Sequence, residues 1–312
     1  MTDILVLGSL NMDMVVKAAR APEGGETLHG DSFSTIPGGK GANQAAAAAR
    51  LGGQVQMIGC VGDDVFGPRL LSTLQGFGVD VSGVSTLPGQ ASGTAVIVVD
   101  AGGENRILVI PGANGQVGAA QLAVLEQELA QAKALVLQME VPLETVFSAI
   151  RMAGRQGVPV ILNPAPAYPL PDELYAGVAY LVLNESEAEL LSGQAVSDLD
   201  SARTAGIRLL GKGARHVIVT LGARGALLLA PGQEIYVPTL AVPVVDTTAA
   251  GDTFVGAFAA ALTHGAALAA ALRFAVAAGT LTVTRFGAQT SIPGQDEAAV
   301  FMEQLSAAVT QP

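Results

Sequence analysis

Two periodicities alternate along this chain. Short runs rich in branched aliphatic residues, apolar on both sides of the pleat, read as strands covered on both faces. They are "ILVLG" (4–8), "VQMIG" (55–59), "ALVLQME" (134–140), "PVILNP" (159–164), "YLVLNE" (180–185) and "HVIVTLG" (216–222). Between them lie stretches with one apolar face at helical spacing: "GANQAAAAARLG" (41–52), "AAQLAVLEQELAQA" (119–132), "PLETVFSAIRMAGRQG" (142–157) and "LDSARTAGIRLLGKG" (199–213). Such alternation predicts an α/β fold, a doubly wound and mainly parallel sheet flanked by helices.

Two regions depart from it. Residues 14–36 and 92–110 hold alternating segments, "MVVKA", "TAVIVVD" and "NRILVIPG", without intervening helices. They suit a small accessory β-sheet. No linker or repeat divides the chain, so residues 1–312 are expected to form a single domain with this sheet attached. Near the C-terminus "LAVPVV" (240–245) reads as one more strand. The oily region 253–284 is interrupted by His264, Gly265 and Arg273, which predicts two buried helices rather than a membrane span.

Composition narrows the function classes. The chain has 312 residues, 50% hydrophobic and 14% charged, enough for a substantial core. A net charge of −11 repels nucleic acid and anionic membrane, so neither is an expected partner. The single cysteine, Cys60, ends a predicted strand and reads as core; one cysteine makes no internal disulfide, which fits a reducing cytoplasm. The N-terminus has no basic stretch before its apolar run, so no signal peptide is read there. His29, His216 and His264 lack ligand spacing and receive no chemistry.

In open sheets of this class, ligands bind beyond the carboxyl ends of the strands. Polar residues collect there: Asn11 and Asp13 after the first strand, then Glu140, Asn163, Asn184, Gly222 and Asp246.

The richest segment is "VVDTTAAGDTFVGAF" (244–258). Its small residues let a backbone approach a ligand, and the first turn of the following helix offers unpaired N–H groups, an arrangement suited to phosphate. Asp252 in that turn is either a helix-dipole partner or a general base. The second reading also explains "AAG": the N–H groups of Ala249, Ala250 and Gly251 would hold a transferred phosphoryl group.

Upstream, "PGGKGANQAAAAARLG" (37–52) combines a tight turn with Lys40, Asn43 and Gln44 before an alanine helix. Glycine follows the lysine, so this is not a Walker A loop. It is either a plain helix start or a loop closing over a polyhydroxylated ligand. "NESEAE" (184–189) fits an N-cap with an acidic first turn, and equally a Glu187 that reaches Mg²⁺ through water. "TLGARG" (220–225) is a hairpin or a nucleotide-binding turn. "GSLNMD" after the first strand is not the G-x-G-x-x-G turn of a dinucleotide-binding dehydrogenase.

Together these segments resemble the ribokinase family of carbohydrate kinases, also called the pfkB family. The signatures "GGKGANQA" and "DTTAAGDTF" stand in that order, and "LNPAPA", "TLGARG" and "VTRFGAQTSIP" have the same character. The resemblance covers essentially the whole chain. It implies an ATP-dependent sugar kinase that phosphorylates the O5 hydroxyl of D-ribose, giving ribose 5-phosphate and ADP. Asp252 would be the base, with the backbone of Ala249, Ala250 and Gly251 as the anion hole. Asn11, Asp13, Gly39, Lys40, Asn43, Glu140 and Asp252 would bind the sugar. Asn184, Thr220, Gly222, Gly225 and Gly251 would line the ATP site, with Glu187 in the Mg²⁺ water network. A monovalent activator, usually K⁺, would sit at Asp246, Thr248, Thr282, Arg285, Gly287 and Ser291, mostly on backbone carbonyls. The accessory sheet would be a lid and the contact of a homodimer. Two positions depart from the family pattern: Val276 near the adenine, and Met12, whose bulk is expected to narrow the pocket edge. The alternatives are a related kinase for 2-deoxyribose, fructose or a nucleoside, and a non-catalytic sugar-binding protein on the same scaffold.

Overall fold

The computed structural model describes residues 2–103 and 105–309. Met1, Glu104 and residues 310–312, which the expected domain and lid ranges include, lie outside the described residues. In chain order the first half runs β1 (Ile4–Leu7), β2 (Asn11–Lys17), β3 (Ser32–Gly38), α1 (Lys40–Arg50), β4 (Val55–Gly62), α2 (Phe66–Gly76), β5 (Asp80–Leu87), β6 (Gly93–Val99), β7 (Asn105–Ile110), α3 (Ala119–Glu128), β8 (Ala134–Leu137) and α4 (Leu143–Gln156). The second half runs β9 (Val160–Leu162), α5 (Asp172–Tyr175), β10 (Tyr180–Leu183), α6 (Glu185–Ser192), α7 (Leu199–Gly211), β11 (His216–Thr220), β12 (Ala226–Ala230), β13 (Gln233–Val237), α8 (Ala250–Thr263), α9 (Leu268–Thr282) and α10 (Gln295–Val309).

The main sheet has the order β13-β12-β11-β10-β9-β8-β1-β4-β5. Its pairings are parallel from β5 to β11, and β12 and β13 add an antiparallel edge. Alternation along β1 shows why its sequence reads as a continuous apolar run. Ile4 and Val6 enter one hydrophobic cluster, Leu5 and Leu7 the other, and all four are fully buried. Helices α1, α8 and α9 cover the first face, and α3, α4 and α7 the second. The two oily helices of region 253–284 are α8 and α9; among the described residues no helix is long and apolar enough to cross a membrane. Cys60 lies inside β4, fully buried, where burial pushes its thiol up to about 11.

The second sheet, order β3-β2-β6-β7, is the expected lid, but with wider bounds. Its first strand starts at Asn11 rather than residue 14, and β3 runs to Gly38. Asn11 and Asp13 therefore lie within a lid strand, not in a turn after β1. Met12 between them is fully buried in the first-face cluster. Successive strand residues point to opposite faces, so the Met12 side chain lies on the face away from Asn11 and Asp13.

"LAVPVV" is not a strand: residues 238–249 have no regular structure apart from bends and turns. Pro243 has no N–H to offer a ladder. Val244 and Val245 are 65% and 59% exposed, and the N–H groups of Val245 and Asp246 bond to the Val283 carbonyl at the end of α9.

Candidate active site

The alanine run of α1 has a structural purpose. A Cβ on Gly256 of α8 would lie 2.6 Å from the Ala47 Cβ and 2.7 Å from the Gln44 carbonyl. Only small side chains allow two helices this near. The crossing sets Asn43 and Gln44 against Asp252, one turn before Gly256. Asp252 is 8% exposed; its Oδ2 accepts from Asn43 Nδ2 at 3.0 Å and its Oδ1 from Gln44 Nε2 at 2.9 Å.

The chain enters α8 through Ala249, at φ 60° and ψ 10°, the one non-glycine residue of positive φ among the described residues. That left-handed conformation costs an L-residue about 1–2 kcal/mol. It turns the backbone so that the N–H groups of Ala249, Gly251 and Asp252 have no hydrogen-bond acceptor among the described residues, while Ala250 N–H makes a long 3.3 Å bond to the Thr247 carbonyl. Of the three N–H groups expected to hold an anion, those of Ala249 and Gly251 are thus free and that of Ala250 is partly engaged. A Cβ on Gly251 would meet nothing within 4 Å, so this position faces open space.

On one side of Asp252 lie the predicted sugar residues. Gly39 (φ 90°) starts α1, and a Cβ there would come within 2.7 Å of the Asn11 nitrogen, so the turn needs glycine. Glu140 Oε2 accepts from Ser9 Oγ at 2.6 Å and from the Lys40 N–H at 3.0 Å. Asn11 Oδ1 accepts from Asn114 Nδ2 at 2.7 Å, and Asn114 also bonds the Leu10 N–H and carbonyl, fixing the crossing from β1 to β2. Among the described residues no donor reaches the Asp13 carboxylate or Glu140 Oε1, which leaves strong acceptors for hydroxyl groups. Burial, then the charges of Glu140 and Asp252, push the Asp13 carboxyl up to about 7, against the pull of Lys40. Burial depresses the Lys40 ammonium, but Asp252, Glu140, Glu187 and Asp13 outweigh it and hold the group above its ordinary value.

On the other side, a cavity of about 220 Å³ is lined by Lys40, Asn163, Asn184, Glu187 and Asp252. Asn184 caps α6 in a reciprocal box: its Oδ1 accepts the Glu187 N–H at 2.8 Å, and Glu187 Oε2 accepts the Asn184 N–H at 2.9 Å. The capping reading of "NESEAE" is met, and the capped Glu187 also lines the cavity. Burial raises its carboxyl, and the Asn184 N–H and Lys40 only partly offset this. Among the described residues no group of three or more His, Cys, Asp or Glu is arranged to hold a metal.

A larger cavity of about 450 Å³ adjoins the first through Thr220, Thr247 and Gly251. "TLGARG" is the antiparallel connection of β11 to β12, and Thr220, Gly222 and Gly225 line this cavity too. Val276 faces it, as do Leu240, Val242 and Val244 of the misread strand. The sequence missed these wall residues because their apolar run also suits a strand.

Of the candidate cation residues, Asp246 meets the segment that follows α9. Asp246 Oδ1 accepts from Thr248 N–H and Oγ1, and Oδ2 accepts from Gly287 N–H at 2.9 Å. Burial pushes this carboxyl up, but the bonds from Thr248 and Gly287 prevail and hold it below its usual range. Thr282 and Ser291 spend their hydroxyls on the Ala278 and Ala288 carbonyls, and Arg285 pairs with Glu297. Among the described residues no hydrogen bond ends on the carbonyls of Thr248, Arg285, Gly287 or Ser291. The Thr282 carbonyl, by contrast, accepts the Arg285 N–H at 3.2 Å.

Residues 1–295 match the pfkB family of carbohydrate kinases. The chain is 46% identical over 303 residues to a ribokinase of Schizosaccharomyces pombe, covering 94% of this chain and 95% of that one. It is 40% identical over 305 residues to a deoxyribokinase of Salmonella typhimurium, with 97% and 99% coverage. Among solved structures it is similar to Arabidopsis thaliana ribokinase complexed with ribose and ATP, at TM-score 0.89 and 32% identity, with 97% and 99% coverage. A sheet whose carboxyl edge gathers these residues, shared with relatives over nearly full length, leaves one conclusion: the chain belongs to the pfkB family of carbohydrate kinases.

Proposed function

We propose that this protein is a ribokinase, transferring the γ-phosphoryl group of ATP to the O5 hydroxyl of D-ribose. The carrying observation is the place of Asp252. It stands at a helix N-terminus with free N–H groups, between open carboxylate acceptors on the lid side and a cleft suited to a nucleotide on the other. Ribose binds against Asn11, Asp13, Glu140 and Asn43, and ATP lies along Thr220, Gly222, Gly225 and Asn184. Asp252 accepts the O5 proton while the N–H groups of Ala249 and Gly251 receive the charge that develops on the transferred group. Lys40 stands between the two ligands. Lid closure excludes water and limits ATP hydrolysis.

Mg²⁺, when bound, neutralises the charge of the β- and γ-phosphates. Glu187 would hold its hydration shell, and the Asp246–Ser291 region would hold K⁺. The buried and exposed groups also support a homodimer: β7 presents Ile107, Leu108, Val109 and Ile110 to solvent on the outer edge of the lid. The lone buried Cys60 suits a reducing cytoplasm.

Similarity to a deoxyribokinase makes the 2-hydroxyl the point to test. Buried acceptors left unpaired by a missing hydroxyl penalise 2-deoxyribose, and Asp13 with Asn11 supplies them. The experiment is ADP release with ATP–Mg²⁺ over D-ribose, 2-deoxyribose, fructose and adenosine, in K⁺ and in Na⁺, against a no-sugar control. Turnover highest on ribose and faster in K⁺ is expected. Preference for another sugar discards the assignment to ribose. No sugar-dependent turnover brings forward a non-catalytic sugar-binding protein.

A further inference from the structure

Gln44 is fully buried in a helix whose other inward residues are largely alanines. Packing against α8 asks for nothing larger than alanine here, yet the chain places a long amide. Both of its N–H groups and its carbonyl are engaged. Nε2 donates to Asp252 Oδ1 at 2.9 Å and to Asn163 Oδ1 at 3.1 Å, and Oε1 accepts from Gln138 Nε2 at 2.6 Å.

These bonds have a direction that starts in the backbone. Asn163 Nδ2 donates to the Val182 carbonyl of β10 at 3.0 Å, and a carbonyl only accepts. That fixes the amide of Asn163 and turns its Oδ1 to Gln44. Gln44 must then present Nε2, and its second hydrogen falls on Asp252. Asn163 Nδ2 also lies 3.5 Å from Glu187 Oε2, so the same chain reaches the phosphate side. The other carboxylate oxygen is held by Asn43, itself braced by Gln289 Nε2 at 3.2 Å.

We propose that Gln44 is a positioning residue for phosphoryl transfer: it sets the rotation of the Asp252 carboxylate, taking its own orientation from β10 through Asn163. The terminal torsion of an aspartate is broad and two-fold. A general base must aim one lone pair at the hydroxyl proton within hydrogen-bond reach. With one N–H on each oxygen, the carboxylate plane is fixed and a lone pair on each oxygen remains for the sugar. This inference rests on Asp252 being the base of a sugar kinase.

The test compares Gln44→Met, which keeps length and removes the donors, in the parent and in the Asp252→Asn background, with ribose, ATP–Mg²⁺ and K⁺. In the parent background kcat is expected to fall about 10- to 100-fold, as a misplaced catalytic group does, with both KM values within about threefold. In the Asp252→Asn background the same change should cost less than about twofold, because there is no base left to aim. A merely structural role would lower kcat equally in both backgrounds, and that result overturns the proposal, as does a Gln44→Met enzyme within twofold of the parent. Should Gln44→Met not fold, Gln138→Met removes the brace on Gln44 from the other side. A kcat fall of about 3- to 10-fold, again absent with Asp252→Asn, supports the proposal, and equal falls overturn it. A parent chain without sugar-dependent turnover overturns the kinase reading and this inference together; turnover with the wrong pattern of ratios overturns the inference alone.

Discussion

The two sheets use apolar strands for opposite ends. In the main sheet β1, β4, β8 and β9 are buried at every position. In the lid β7 is exposed at every position, Leu108 at 71%, although "NRILVI" is nearly as oily. Apolar content alone does not say whether a strand is covered; the neighbouring helices do. The main sheet has helices on both faces, whereas the lid meets α2 along β2 and β3 and leaves β7 open. The main sheet thus gives a covered edge beside Asp252, the expected base. The lid carries Asn11 and Asp13, the expected sugar acceptors, on a separate small sheet.

The largest effect should come from the covered half. Asp252→Asn is expected to lower kcat by about 10²–10⁴ while ribose still binds, read by steady-state rates beside calorimetry. Near-full turnover would remove Asp252 from the role of base. For stability, Leu137→Ala in β8 should cost about 2–5 kcal/mol in urea unfolding, and Leu108→Ala in β7 at most about 0.5 kcal/mol in the monomer. Equal losses would dissolve the distinction between the sheets.

Asp13 tests the lid with the opposite sign. Its folded carboxyl stands near 7 and its unfolded one near the ordinary value of about 4. The folded state therefore binds the proton more strongly. The stabilisation is complete below about pH 4 and is lost as pH rises through 7. Asp13→Asn should then stabilise the sugar-free protein more at pH 8 than at pH 5, by about 2–3 kcal/mol, while weakening ribose binding. A gain independent of pH would refute the burial argument. The smallest structural effect is expected from Gly251→Ala. Open space receives the new Cβ, so the unfolding midpoint should hold within about 0.5 kcal/mol while kcat/KM for ATP falls.

How much of this was legible differs between the halves too. Continuous apolar runs announced β1, β8, β9, β10 and β11, because burial on both faces leaves no polar alternation to confuse. The segments 64–87 and 226–237, with α2, β5 and the β12–β13 hairpin, were not assigned. "LAVPVV" failed because a cavity wall and a strand call for the same side chains, and only Pro243 argued otherwise. Asp252, Asn43 and Lys40 stood out by residue type in a small-residue setting. Asn114, Gln138 and Gln289 did not, since a lone amide in an apolar segment gains meaning only when the chain brings its partners from far along the sequence: Gln289 reaches Asn43, and Gln138 reaches Gln44.

Strand β2 begins three residues after β1 and pairs only within the lid. Asn11 and Asp13, two of the expected sugar contacts, thus sit on a different sheet from the one that α8 and its Asp252 pack against. Inheritance can work on the two sheets separately. A lineage that exchanges one acceptor sugar for another need edit only a short strand and its neighbours, leaving the phosphoryl-transfer chemistry as it was.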